Sequence, residues 1–190
     1  MRRKNLQHIK RNKTGATIKI LSEPQINREL FRHFNRHQEV ARCWRKEGGT
    51  WKLKDIAFVE EWKDPEYEFL VKCLKNTIHT GGYVFGCFEE GKLMGFTSVE
   101  SSHFGSKGQY VQLSCIHVSC ECRGKGYGKQ LFQRAILAAR KLGAKKLYIS
   151  AHSSEETQAF YHALGCVEAK EYNRKLYVAE PCDCQLEYVL

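Results

Sequence analysis

The strongest periodicity lies in the second half of the chain. Leu131, Phe132, Ala135, Ile136, Ala139 and Leu142 recur at helical spacing, and Gly143 stands where a C-terminal capping glycine belongs. Before that helix, Gln109–Ser119 alternates with apolar residues on both faces. Period two places Val111, Leu113 and Cys115 on one face and Tyr110, Ile116 and Val118 on the other. A strand apolar on both faces is a central strand covered from two sides. Tyr83–Phe88 and Leu93–Ser101 read as two strands joined by a tight turn at Glu89-Glu90-Gly91-Lys92. "AKKLYISA", residues 144–151, reads as another strand. Ser153 or Ser154, followed by Glu155 and Glu156, predicts an N-capped helix that ends at Gly165.

Nearer the start, "ATIKILSE" alternates as a first strand. Asn27–Val40 reads helical, with Leu30, Phe31 and Phe34 on one face, and Gly48-Gly49-Thr50 breaks that pattern. An aromatic-rich stretch follows, and then a helix over Pro65–Asn76. In the tail, Val167–Glu171, Lys175–Val178 and Gln185–Leu190 alternate like closing strands. The order of elements predicts an α+β (mixed α/β) fold, with a basic arm at 1–15 and one domain at 16–190.

Composition adds bounds. The 190 residues are 42% hydrophobic and 27% charged, as in an ordinary globular protein. No apolar run nears the roughly 20 residues of a membrane span, and the basic N-terminus lacks the apolar core of a signal peptide. A cytoplasmic location is therefore expected. Nine cysteines, an odd number, read mainly as reduced, buried residues. Cys120-x-Cys122 and Cys182-x-Cys184 have the wrong spacing for a zinc site, so no metal is expected.

The formal charge is +10, of which the arm supplies six through Arg2, Arg3, Lys4, Lys10, Arg11 and Lys13. Contact of the arm with nucleic acid or a ribosome is the lesser reading, because no aromatic residue interleaves with its charge as a stacking platform. The rest of the charge suits an anionic small molecule. A homodimer is compatible with the sequence.

The chemistry concentrates in "CRGKGYGKQLF", Cys122–Phe132. A strand, a glycine-rich turn and a helix N-terminus form an anion site, because first-turn N–H groups lack partners and glycine lets a phosphate approach the backbone. Arg123, Lys125 and Lys129 add charge. The Walker pattern fails, since Gln130 follows Gly128-Lys129 and Arg123 stands where glycine is required. The dinucleotide fingerprint fails on the spacing of Gly124, Gly126 and Gly128. A third pattern, R/Q-x-x-G-x-[GA], is met by Arg123, Gly126 and Gly128.

On these residues, "CIHVSCECRGKGYGKQLF" resembles motif A of the GNAT superfamily of acyl-CoA N-acyltransferases. "SEETQAFYHALGC" is similar to a second signature of that superfamily. Phe160, Tyr161 and Gly165 fit it, while Ser154, Thr157 and Cys166 depart from it. The resemblance covers about Tyr83–Cys166. It implies a central, mostly antiparallel sheet of six to seven strands with a splayed parallel pair, flanked by about four helices. It also implies acetyl-CoA as co-substrate, with transfer to a primary amine and a small-molecule acceptor preferred. Protein lysines or N-termini, or a non-catalytic CoA-binding role, are the alternatives. Gly124, Lys125, Gly126, Tyr127, Gly128 and Lys129, with Arg123, would hold the pyrophosphate. Ile116, His117, Val118 and Ser154 would line the pantetheine arm. Tyr161 would be the general acid.

The motif A strand carries no glutamate, so His117 is the candidate base, with Glu100, His152 or a water chain behind it. Cys115 and Cys120 raise a covalent route, but neither has an evident histidine-and-acid arrangement. Glu60, Glu61, Asp64, Glu66 and Glu68, lying among aromatics, could attract a cationic amine against Trp44, Trp51 or Trp62.

Overall fold

The computed structural model describes residues 15–190. The first fourteen residues, and with them the charges of the basic arm, lie outside the described residues. β1 (Thr17–Ile20), β4 (Tyr83–Glu89), β5 (Lys92–Val99), β6 (Tyr110–Val118), β7 (Lys146–Ala151), β8 (Val167–Glu168) and β9 (Cys184–Val189) form one sheet. Its order is β1-β4-β5-β6-β7-β9-β8. Every pairing is antiparallel except β6 with β7. With four α-helices this is the expected architecture.

One face of the sheet is covered by α2 (Tyr127–Lys141), which buries Leu131, Phe132, Ala135, Ala138 and Ala139 against Phe85, Val111 and Leu113. Each large side chain so buried is worth about 1.5–3 kcal/mol. The other face is covered by α1 (Asp64–His79) and the segment before Gln38. There Phe31 and Phe34 pack on Phe96 with ring centroids 5.4 and 5.2 Å away, and Tyr67 packs on Phe31 at 6.0 Å. The expectation of a two-sided cover over β6 holds.

The expected faces of β6 need correction. The register with β5 slips between Ser98 and Val99, so that Leu113 lies opposite Val99 and Cys115 opposite Ser98. Ser114 is the extra residue of a β-bulge, and a bulge inverts alternation downstream of it. Ile116 and Val118 therefore join Val111 and Leu113 on the α2 side, while Cys115 packs on the opposite face. His117 turns with Cys115 and meets Phe96 and Trp62.

The helix expected over Asn27–Val40 is also corrected. Only one 3-10 turn forms, Arg28–Phe31, with Leu30 N–H donating to the Asn27 side chain. The chain is extended by Gln38. β2 (Gln38–Glu47) and β3 (Thr50–Glu60) then pair as a separate two-stranded sheet. Gly48 and Gly49, at φ 56° and 83°, make its turn. Lys175–Val178, expected as strand, lies in a short helix, α4 (Arg174–Ala179), because the Asn173 side chain caps Lys175 and Leu176. The helix expected before Gly165 is α3 (Glu155–Ala163). Among the described residues no helix is long and apolar enough to cross a membrane.

The parallel pair is short. Only Tyr110–Gln112 faces Lys146–Tyr148. At that end the strands are tied by a buried ionic cluster. Glu187 of β9 accepts from the Tyr110 hydroxyl of β6 at 2.5 Å, from Lys146 Nζ of β7 at 2.7 Å and from Lys170 N–H at 3.2 Å. Burial works against the Glu187 charge, but the bonds from Lys146, Tyr110 and Lys170 outweigh it and hold the carboxyl below its ordinary value. A carboxyl depressed in this way contributes stability at neutral pH and loses it as the pH falls through its folded value. Glu187→Gln should therefore cost about 1–3 kcal/mol at pH 7. In urea denaturation the gap between the two proteins should narrow as the pH falls below the ordinary glutamate range and the native carboxylate protonates.

Candidate functional site

Beyond Gln112 and Tyr148 the two parallel strands part. β6 continues along β5 to Val118 opposite Gly95, while β7 continues along β9 to Ala151 opposite Cys184. The gap between them is a cleft of about 840 Å³. In the β5–β6 register, Ser119 N–H donates to Met94 C=O. Antiparallel alternation then turns the backbone groups of Ile116 and Val118 away from β5 and into the gap. The Val118 carbonyl accepts from Arg123 Nε at 3.4 Å.

The glycine loop closes the β6 side. Gly124 and Gly126 have φ of +75° and +82°, a region that side-chain-bearing residues rarely adopt. Gly128 has a different reason. A Cβ there would stand 3.0 Å from the Phe160 ring, so α2 can lie this close to α3 only with glycine at that position. Gly126 caps α2 without a side-chain acceptor, and the first turn holds no acid. Its N–H groups are thus left for a ligand.

Most predicted site residues gather here. Ile116, His117, Val118, Arg123, Gly124, Gly126, Tyr127, Gly128, Lys129 and Tyr161 line the cleft. Lys125 is exposed and lies off its wall. The Arg123 guanidinium also donates to the His37 carbonyl at 2.6 Å, linking the loop to the segment that leads into β2. Tyr127 turns its ring into the core, so its backbone is the part available at the loop.

Ser154 lies off the cleft wall. It is fully buried and caps α3, its Oγ accepting from Thr157 N–H at 3.3 Å and donating to Thr157 Oγ1 at 2.9 Å. Its short side chain is consumed in the cap and covered by β2, to which Cys43 bridges it. Thr157 reaches the cleft instead.

Tyr161 on α3 is 5% exposed, and its hydroxyl has no hydrogen-bond partner among the described residues. Burial, then the neighbouring Cys166, Cys115 and Asp183, push its pKa well above the usual tyrosine value. It is a neutral phenol with a free proton to give. Burial, then the charges of Arg36 and Arg123, press His117 down to about 3. An imidazole titrating near neutrality was expected there, and the surroundings make it a weak proton acceptor instead. Burial lifts Cys115 to about 11, so it is a thiol at neutral pH and a poor nucleophile. Cys120 is not on the cleft wall. Glu100 is likewise absent from it, accepting from Thr77 Oγ1 at 2.7 Å and Ser114 Oγ at 2.6 Å.

The acidic aromatic stretch divides. Glu60 and Trp62 face the cleft, whereas Asp64 pairs with Arg28, Glu66 caps α1, and Glu61 and Glu68 are exposed. Trp44 and Trp51 pack against the main core. The two Cys-x-Cys pairs differ in surroundings. Cys122 lays its sulfur on Met94 at 3.3 Å, while Cys184 sits opposite Ala151 in the sheet. Among the described residues no cluster of three potential metal ligands forms.

The periodicity gave no sign of Arg36, Glu39, Glu180 and Asp183 as cleft residues. Arg36 sat inside the expected helix, and the other three are brought in by the β2–β3 sheet and by the turn before β9. The cleft is thus basic along the β6–α2 wall and carries carboxylates on the hairpin and the β9 side.

The profile of the acetyltransferase (GNAT) family matches residues 38–166. No curated protein matches the sequence. A Bacillus anthracis structure described as a streptothricin acetyltransferase in complex with acetyl coenzyme A superposes at TM-score 0.69 and 14% identity, over 92% of this chain and 98% of that one. A nourseothricin acetyltransferase superposes at TM-score 0.64 and 17% identity, over 90% and 95%. The PaiA N-acetyltransferase of Thermoplasma acidophilum, in complex with coenzyme A, superposes at TM-score 0.56 and 15% identity, over 92% and 99%. At these identities the likeness is one of fold. For the loop, Gly126→Ala should lower stability by about 1–2 kcal/mol through its left-handed backbone, read as a lowered melting temperature.

Proposed function

The chain belongs to the acetyltransferase (GNAT) family, and from that membership we propose that it transfers an acetyl group from acetyl-CoA to a primary amine, with a small cationic molecule as acceptor. The observation that carries this reading is the opening between β6 and β7. It brings free helix N–H groups, exposed backbone and an unpartnered phenol into one cleft with carboxylates facing them.

The N–H groups at the start of α2, with Arg123 and Lys129, would hold the pyrophosphate of coenzyme A. The pantetheine arm would run along Ile116–Val118 as an added strand, and the backbone around Val118 would meet the acyl oxygen as negative charge builds on it. Attack by the amine nitrogen forms the C–N bond and breaks the C–S bond, leaving the electron pair on sulfur. Tyr161 then gives its proton to the thiolate. The buried surroundings of Tyr161 suit this role, because they keep the phenol protonated until a strong base forms beside it. Glu39, Glu60, Glu180 and Asp183 favour a positively charged acceptor.

Thiol release with a panel of streptothricin, 1,4-diaminobutane, free lysine and a lysine-containing peptide tests the activity and separates small from protein acceptors. Turnover of a small amine above the peptide supports the proposal, and binding of acetyl-CoA with no release on any of them would overturn it. Tyr161→Phe should lower kcat by roughly 10²–10⁴ while leaving acetyl-CoA affinity, measured by calorimetry, unchanged. Arg123→Ala should weaken coenzyme A binding by roughly ten- to a hundredfold, the worth of one charge-assisted contact.

A further inference from the structure

An amine acceptor arrives protonated. At pH 7 an alkyl amine with a pKa near 10.4 is neutral in only about one molecule in 2,500. A group in the cleft that takes this proton is therefore worth a large part of the rate.

Seven imidazole and carboxylate side chains line the cleft. Glu39, Glu156 and Glu180 are exposed, and Asp183 Oδ2 accepts from Ser150 Oγ at 3.1 Å. The surroundings of the other three separate them. His117 lies between Trp62 and Phe96, at centroid distances of 4.9 and 5.3 Å, with the charges of Arg36 and Arg123 nearby. His152 is committed at one nitrogen, its Nδ1 accepting from Ser154 N–H at 3.1 Å. The neutral ring must then carry its proton on Nε2, which is turned toward Glu60 Oε1 at 3.7 Å. Glu60 remains. Its Oε2 is anchored by Arg36 Nη2 at 2.7 Å, while its Oε1 lies 3.7 Å from His152 Nε2, and both residues line the cleft.

We propose that Glu60 is the general base of this enzyme, its Oε1 taking the proton of the bound ammonium group, and that Arg36 and His152 position it. The inference rests on the acetyl-transfer reading above. Arg36 is only 8% exposed and is itself held by Gln38 Oε1 at 3.1 Å and by the Trp62 ring at 5.4 Å, so the anchor cannot swing away. The charged and titratable groups around Glu60 are Arg36 from the segment before β2, His152 from the end of β7 and Asp183 from the turn before β9. The negative charge of Glu60 and Asp183 keeps the incoming nitrogen cationic until it is seated. Glu60 then removes one proton, the freed lone pair attacks the thioester carbonyl, and sulfur leaves with the C–S electron pair and takes the Tyr161 proton. The nitrogen, which still carries one proton more than the amide keeps, gives that proton to the phenolate and restores the phenol, and Glu60 releases its proton to water. The net reaction yields amide, free thiol and one proton.

The placement also explains why the base could not be found on the motif A strand. It is supplied by β3, at the last residue of the hairpin, opposite Gln38.

Hydroxylamine, which is already neutral at pH 7, separates a base from a structural residue. For Glu60→Gln, thiol release with the panel amine that the wild-type enzyme turns over fastest should fall roughly 10²–10⁴-fold, and release with hydroxylamine by no more than a few fold. Between pH 7 and 9, kcat/KM for the alkyl amine should be flat in the wild-type enzyme. It should rise tenfold per pH unit in Glu60→Gln, which must wait for free amine. Equal losses on both nucleophiles would overturn the proposal. So would a tenfold rise per pH unit in the wild-type enzyme, a measurement that needs no variant. Calorimetry with acetyl-CoA keeps the two proposals apart. A wild-type protein that neither binds acetyl-CoA nor releases thiol overturns the acetyl-transfer reading itself, whereas binding and turnover with an unaltered profile in Glu60→Gln overturn the role of Glu60 alone.

Discussion

The cleft depends on a clamp at its far end. Tyr110, Lys146 and Glu187 come from three adjacent strands and meet at one buried carboxylate that accepts from the other two. A parallel pair only three residues long would be a weak junction by backbone bonds alone. The clamp fixes the apex of the V, and β5 and β9 each carry one arm of it outward. The strands can therefore separate without leaving either backbone unpaired on its outer side. The energy that holds the site open is spent some distance from the site.

What then fills the opening follows from local geometry. The bulge at Ser114 decides which way each residue of the second half of β6 faces. Without it His117 would look toward α2, and Ile116 and Val118 would look toward α1. With it, the small aliphatic residues back onto α2 while their backbone groups edge the gap. Close packing of Gly128 on Phe160 sets the helix dipole of α2 beside the residue that precedes Tyr161. The anion end and the acid end of the cleft are thus built on two helices in direct contact.

The second half of the chain was largely legible. The glycine loop, the long strand before it, the helix after it and Phe160-Tyr161 are local patterns, and local patterns survive in sequence. The first half was not. Phe31 and Phe34 mimic one face of a helix, yet they are drawn apart from that geometry by contacts with Tyr67 and Phe96, which lie far along the chain. Gly48-Gly49 was visible as a break, but its reading as a hairpin turn requires knowing that Gln38–Glu47 and Thr50–Glu60 pair. Sequence does not show that the Ser154 hydroxyl is already engaged with Thr157 in the cap of α3. The low pKa of His117 comes first from burial and then from two guanidiniums, 81 residues before it in Arg36 and six after it in Arg123, and no window of sequence shows that burial or contains both charges as neighbours.

The β2–β3 hairpin pairs within itself and not with the main sheet. It meets the rest of the protein through Trp44 N–H on the Ser153 carbonyl, Arg42 on Glu155 and Lys46 on Glu168. The half of the cleft that would recognise the donor is therefore written into the sheet, and much of the half facing the acceptor into an appendage. Substitutions at Gln38 or Glu39 leave the ladder of the seven-stranded sheet untouched. Such an arrangement lets the choice of acceptor drift over evolutionary time while the cofactor grip stays constant.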